Sequence, residues 1–509
     1  MTAFTIRRPS RRPLIVVIGV LAVAIGTQVA SVWNGDQAGL DEPLLAAPPA
    51  AEVDDAGPLG AVGANAIDMP ARASMPPAAL AVPVVPAPIV PADPAPVVRA
   101  DAGPNGFDPT AELTRIRADV DFWAARLTAH PKDIVAGVKL AESDVAEARM
   151  TGDVTDYLRA EQAADAAIVA QPGYLPAQSM RASILVSLHR FPQARELARW
   201  ILYRSPADST ALGVLGDASL ELGDLATAAT AYSRLAIVAD GSAAQVRAAR
   251  LAFVEGDPAA AVAGDRTAVA AATNDEGLEG DALGFYHVTL GETLLAAGDP
   301  AGARAAYEAA LEVRPDLPAA LVGLAKLDAF DGKLSAAIAE LDTAIAAIPL
   351  PDSLARRADL LTLRGEPGDA RKAKADMATV EAIAQLAGEA GSVYDRGLSL
   401  YLSDHGLEPD RAVKLARDEL AIRPDVYGYD TLAWALLNAG DAAGADAPMQ
   451  SALAAGTKDA RLWYHAGLIA LADGRADEAA SNLRSALALG PALDPMSRAR
   501  AANALATIR

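Results

Sequence analysis

The sequence has no cysteine, only five histidines, and few aromatic residues, which make up 5% of its 509 positions. Without cysteine there is no disulfide framework, no thiolate metal site, no cysteine nucleophile and no lipid-modified N-terminal cysteine. Positive charge is short as well: 44 Lys plus Arg stand against 65 Asp plus Glu, a net charge of −21. The acidic balance disfavours nucleic acid as a partner, because its phosphates must be met by a basic surface. What is abundant is apolar residues, 52% of the chain, and with so few rings among them the bulk is alanine. Alanine is the best helix former, so the composition points to closely packed helices. The length exceeds the roughly 100 to 200 residues of one domain, which predicts several domains or a long repeat array.

The charge is unevenly spread. Residues 1–33 carry +4, residues 34–106 carry −7 and residues 107–509 carry −18. Arg7, Arg8, Arg11 and Arg12 precede Leu14 to Val32, an uncharged apolar run of 19 residues. At 1.5 Å per residue the run would be about 28 Å long, close to the ~30 Å hydrocarbon core of a bilayer. Basic residues before such a run stay on the cytoplasmic side, so the chain beyond the run is expected to be exported. The preferred reading is a cytoplasmic basic region (1–13) and a transmembrane signal anchor (14–33), because the run is longer than a signal-peptide core. The alternative is a signal peptide cut after Ser31, which would leave a periplasmic or secreted protein.

From residue 34 to 106 the chain holds 14 of its 34 prolines, nine acids and only Arg72 and Arg99 as bases. Proline removes a backbone donor and fixes φ, so this Pro/Ala-rich stretch is expected to be a disordered, semi-stiff linker. Fully extended as polyproline II it would reach ~220 Å, and as a coil about 45 to 50 Å.

Beyond residue 107 the punctuation is periodic. Strings such as TGD, LGD, EGD, AGD and DGR place glycines at Gly152, Gly223, Gly256, Gly298, Gly332, Gly365, Gly406, Gly440 and Gly474. From Gly223 on, the spacing is 33, 42, 34, 33, 41, 34 and 34. The 71-residue interval before Gly223 leaves room for one more turn, expected at His189 and Arg190. A period near 34 means a stacked array of helical hairpins, none of which could bury its apolar face alone. In the unit Gly284 to Leu317, Val288, Leu290, Leu294 and Leu295 mark a first helix. Gly298 and Asp299 turn the chain, Pro300 opens a second helix and Pro315 stops it.

In this unit Gly291, Gly298, Ala303, Tyr307, Ala310 and Pro315 resemble the tetratricopeptide-repeat pattern. The pattern recurs as Ala325, Gly332, Ala337, Leu341, Ala344 and Pro349, and again as Gly467, Gly474, Ala479, Leu483, Ala486 and Pro491. The resemblance implies an all-α fold, a right-handed α-solenoid of about ten helix pairs over residues 132–493. Residues 107–131 and 494–509 are expected to be capping helices, the first with Leu113, Ile116, Val120, Trp123 and Leu127 inward. The last is expected to turn Ala499, Ala502, Leu505 and Ile508 inward. Longer loops or helices are expected near residues 273–283 and 387–394, where the spacing stretches.

No motif for catalysis, cofactor or metal binding accompanies the scattered histidines. The acidic segment Asn274 to Asp281 lacks the alternating ligands of a calcium loop and is expected to be a solvated insertion. The resemblance also implies a concave groove that holds protein segments. Its positions fall on Phe285, Phe330, Tyr394, Tyr401, Tyr427, Trp434, Asn438 and Tyr464, a gathering of rings in a ring-poor chain. Glu292 and Asp430 fall there too, where a chaperone-type clamp would have Lys or Asn, with Lys326 and Asn438 as isolated exceptions. This favours a basic or extended protein segment as partner. The expectation is therefore a non-enzymatic protein-interaction scaffold without cofactor or metal, held by residues 14–33 on the outer face of a bacterial cell membrane, its oligomeric state left open. The alternative is an accessory subunit of an envelope enzyme or export complex, such as one for polysaccharide synthesis.

Overall fold

The computed structural model describes residues 108–389 and 395–508. The expected membrane or signal helix and the linker lie outside them. Among the described residues no helix is long and apolar enough to cross a membrane.

The described residues form 22 α-helices and no strand. A lone helix, α1 (Pro109–Ala129), comes first. Five pairs follow: α2 and α3 (Ile134–Thr151, Val154–Ala170), α4 and α5 (Leu175–Ser187, Phe191–Arg204), α6 and α7 (Ser209–Glu221, Leu225–Val238), α8 and α9 (Ser242–Val254, Pro258–Ala270), and α10 and α11 (Gly280–Ala296, Pro300–Val313). Five more are α12 and α13 (Pro318–Phe330, Leu334–Ala347), α14 and α15 (Pro351–Arg364, Asp369–Glu389), α16 and α17 (Asp395–Asp404, Pro409–Ile422), α18 and α19 (Val426–Asn438, Ala442–Leu453), and α20 and α21 (Ala460–Ala472, Ala476–Ala488). A last helix, α22 (Pro495–Thr507), ends the stack. Helices pack chiefly on their sequence neighbours, as a one-dimensional array requires.

At five of the turns a Gly-Asp dipeptide explains both halves. All nine turn glycines have positive φ, between 63° and 86°, which ends the first helix in the left-handed region. The aspartate then caps the second helix: Asp153, Asp224, Asp257, Asp299 and Asp441 each accept a backbone N–H through the side chain. Such a cap is worth about 1 kcal/mol and suits the positive helix N-terminus, so part of the acidic excess is structural. The turn without glycine falls at His189, whose φ is 56°.

Small residues occur where rings need room. A methyl group at Gly291 or Gly323 would lie 2.5 or 2.4 Å from the Tyr307 ring, which two successive first helices sandwich. Gly216 gives Tyr232 the same room, and Gly467 gives it to Leu483. The long spacings have distinct causes. After α9 the chain makes a π-turn, Ala271–Asp275, and α10 runs for 17 residues; α15 runs for 21. The acidic insertion is tied down rather than merely solvated, because Glu276 accepts from the Ser242 amide (2.7 Å) and hydroxyl (2.6 Å) and so caps α8.

At the ends, Asp108 and Asp494 cap α1 and α22. Ile116, Val120 and Leu127 of α1 are buried. On α22 the inner face is rotated from the expected one: Ala501 is buried, whereas Ala499 and Ala502 are exposed. The rotation lets Arg498 donate to the carbonyls of Leu487 and Gly490, while Ala504, Leu505 and Ile508 still pack against the Trp434 cluster.

Candidate functional site

The superhelix closes on itself. At the end of α17, Arg423 reaches back 202 positions to Glu221 at the end of α6, with Nη2 to Oε2 at 2.5 Å. Both side chains are almost fully buried, so neither charge has water to stabilise it and each depends on the other. Arg250 of α8 completes the Glu221 pair, and Phe191 lies under the Arg423 guanidinium at 5.4 Å. Burial opposes ionisation of Glu221, but Arg423 and Arg250 outweigh it and hold the carboxyl below its usual range. A second seam contact joins the Thr457 hydroxyl to the Val254 carbonyl, 2.5 Å apart and 203 positions distant in sequence. Backbone meets backbone here. A Cβ at Gly223 would lie 2.5 Å from the Pro424 carbonyl oxygen, and one at Gly256 only 2.2 Å from that of Gly456.

Beside the closure lies an open cavity of about 300 Å³. Its wall comes mainly from first helices: Lys326 from α12, Arg356 from α14, Tyr401 from α16, and Arg461 with Tyr464 from α20. The start of α22 supplies Arg500. Arg396 and Arg423, 4% and 3% exposed, lie deeper in the same wall. Arg396 is held by Asp425 at 2.7 Å and Glu419 at 3.1 Å. A smaller cavity of about 190 Å³ shares His189 and Arg423 with the first. Desolvation and the neighbouring Arg423 push His189 down to about 3, so it is neutral at physiological pH.

The residues singled out from the sequence divide among these places. Tyr401 and Tyr464 line the larger cavity, and Phe285 the smaller. Trp434 is wholly buried: its indole N–H donates to Asp404 at 2.8 Å, and its ring stacks on His465 at 4.0 Å. Tyr427 is 5% exposed and lies beneath the Arg461 guanidinium. Asn438 donates to the Trp434 carbonyl within the same helix. Phe330 lies off both cavities, under the Arg498 guanidinium at 4.9 Å. Tyr394 lies outside the described residues.

The acids behind the expected basic partner are not open in the cavity. Asp430 is wholly buried, bonded to His465 Nδ1 at 2.7 Å and facing Arg461 Nε at 3.4 Å. Burial opposes its ionisation, but His465 and Arg461 outweigh that and lower its pKa. Glu292 is half-buried, and burial raises its pKa. The arginines that do line the cavity, Arg356, Arg396, Arg423, Arg461 and Arg500, have no sequence signal in common. Only the superhelical wrap brings them together. The His465–Asp430 pair has the geometry that orients a general base. Its imidazole face, however, is closed by Trp434, and among the described residues no hydroxyl bonds to it. The pair is a packing element between α18 and α20.

Two family models, both described as tetratricopeptide repeat, match this chain, one at residues 294–363 and the other at 179–244 and 431–494. No curated protein matches it. Among solved structures it is similar to a tetratricopeptide-repeat protein from Parabacteroides merdae, at 18% identity over 52% of this chain and 97% of that one, with a TM-score of 0.30. It is also similar to a chain of the Cut9–Hcn1 hetero-tetramer of the APC/C, at 15% identity over 78% and 94% and a TM-score of 0.29. A third similarity is to PilW, a type IV pilus biogenesis factor, at 17% identity over 41% and 93% and a TM-score of 0.34. Scores this low carry no argument; the repeat models fall on a run of ten consecutive helix pairs, nine of them turned by a positive-φ glycine and five of these capped by the aspartate that follows it. The chain is a tetratricopeptide-repeat protein.

Proposed function

We propose that this protein is a non-catalytic scaffold that holds a segment of a partner protein in the interior of its closed superhelix, on the outer face of a bacterial membrane. The observation that carries the reading is the 300 Å³ cavity, whose wall is built from the first helices of several pairs. Stacked first helices form a continuous surface, and a segment laid along it touches several repeats at once. The ring of Tyr401 supplies apolar contact there, with polar groups beside it to fix register. The placement outside the membrane rests on the four arginines ahead of the apolar run Leu14 to Val32.

A photo-crosslinking residue at Tyr401, on the cavity wall, tests the binding site in the native host. Discrete crosslinked polypeptides are expected there and not from Tyr203, which is 88% exposed and belongs to neither cavity. Identical products from both positions would overturn the interior site. For the topology, a reporter active only outside the cytoplasm, fused after Arg509, is expected to be active; a cytoplasm-only signal would refute the placement.

A further inference from the structure

We infer that the larger cavity is an oxyanion site, built to take a phosphate or carboxylate group carried on a short apolar stem. The inference deepens the scaffold reading, since it names the ligand chemistry of the same cavity.

The two signs of charge on the wall are unevenly matched. Six Lys or Arg residues line the cavity, against five carboxylates. Each carboxylate is already engaged. Asp352 faces Arg356 at 3.5 Å, and Asp359 holds His405 at 2.8 Å. Asp404 accepts the Trp434 indole N–H, Glu419 holds Arg396 at 3.1 Å, and Asp494 caps α22. Four of the cations are engaged as well, Arg356 by Asp352, Arg396 by Asp425 and Glu419, Arg423 by Glu221 and Arg461 by Asp430, which leaves Lys326 and Arg500. Among the described residues no carboxylate lies within 4.0 Å of Lys326, nor of Arg500 at the rim. Nε of Arg356, Arg396 and Arg423, and Nη2 of Arg461, are buried without a hydrogen-bond acceptor. Arg396 and Arg423 are among the most buried charged residues of the protein.

Buried guanidinium donors without acceptors are costly, and an oxyanion is the ligand that answers them, since each N–H bond to it is charge-assisted. Lys326 reports the same imbalance: burial, and then the nearby positive charge of Arg356, lower its pKa, with Glu292 and Asp352 opposing. Leu360, Leu363, Leu400, Val380 and Leu493 give the wall an apolar stretch. A cavity of about 300 Å³ is at the small end of ligand sites, which fits a charged head on a short stem. Such a group could be a free small molecule or belong to the partner segment, and both present the same chemistry to the wall.

Titration of the full chain with n-butyl phosphate, inorganic phosphate and n-butanol, by calorimetry and thermal unfolding, tests the site. Butyl phosphate is expected to bind about tenfold more tightly than inorganic phosphate, because it adds stem burial to the charge-assisted bonds, and butanol not measurably. Lys326→Met is the deciding variant. It removes a half-buried charge that has no carboxylate within 4.0 Å, so Tm without ligand is expected to rise by about 2 °C while butyl phosphate affinity falls about tenfold. Arg500→Gln, at the rim, is expected to weaken binding without changing Tm. Equal binding of butanol and butyl phosphate, or unchanged butyl phosphate affinity in folded Lys326→Met and Arg500→Gln, would overturn the proposal. Repeating the Tyr401 crosslink with butyl phosphate present separates the sources. Loss of the crosslinked product assigns the oxyanion to the partner segment, and an undiminished product assigns it to a free molecule. Phosphate binding with no crosslinked partner at all would sink the scaffold reading and leave the oxyanion site standing.

Discussion

Replacing Gly256 by alanine, with Gly440→Ala as its internal control, measures what the closure of the superhelix is worth. Both glycines end a first helix with positive φ, 83° and 86°, so alanine costs each about 1 to 2 kcal/mol for backbone conformation alone. At Gly440 that is the whole effect, because nothing lies within 4 Å of the added methyl group. At Gly256 the methyl group would lie 2.2 Å from the Gly456 carbonyl oxygen. Backbone stands on both sides, so no rotamer change relieves the overlap and the seam must open by about 1 Å. Opening breaks the buried bond from Thr457 to the Val254 carbonyl, at about 1 to 3 kcal/mol for the orphaned group. If the movement propagates to Glu221 and Arg423, a further ~3 to 5 kcal/mol is lost, the usual cost of separating a buried ion pair. Thermal unfolding and small-angle scattering are the assays. Gly440→Ala is expected to lower Tm modestly at an unchanged radius of gyration, whereas Gly256→Ala lowers Tm further and enlarges the radius. Equal Tm losses with unchanged radii in both variants would refute the claim that the seam holds the superhelix closed.

Buried polar groups give two more expectations. The Tyr307 hydroxyl is buried without a hydrogen-bond partner, so Tyr307→Phe is expected to leave stability unchanged or raise it by up to about 1 kcal/mol, measured by denaturant unfolding. A loss above about 1 kcal/mol would show that the hydroxyl is satisfied. His405 is one pH-sensitive group: burial alone would lower its pKa, but the hydrogen bond and charge of Asp359 raise it from 6.5 to about 9. A raised folded-state pKa stabilises fully below the unfolded value and is lost as pH rises through the folded one. The pair is partly solvent-screened, which limits it to about 1 kcal/mol, so the Tm gap between the native chain and His405→Gln is expected at pH 7 and should close above about pH 9. A gap that persists at pH 10 would assign His405 a packing role instead.

The periodic glycines were enough to place the first-helix turns, because a helix end with positive φ is a local requirement that glycine meets at least cost. Even the turn without glycine was legible from the spacing alone, at His189. The candidate site was legible only in part. The groove positions of the repeat pattern led to Tyr401 and Tyr464, which do line the cavity. The same positions gave no sign that Trp434 and Asp430 would be consumed by helix packing. They also missed Arg396, Arg423 and Arg461, since a charge in an otherwise apolar helix carries no label for where it points.

What the sequence determined is therefore the unit and its repetition: two helices, a glycine turn, in half of the units an aspartate cap, and small residues wherever Tyr307 or Tyr232 must fit. These are interactions within about 40 residues, and they recur, so each copy reinforces the reading of the others. Only the tertiary structure decided that the stack curves far enough for Arg423 to meet Glu221, 202 positions away. Small rotations between neighbouring units add along the array, and no single unit records their total. The sign of the inner surface depends on that sum. The same chain that is acidic overall thereby bears a cavity with more Lys and Arg than carboxylates on its wall.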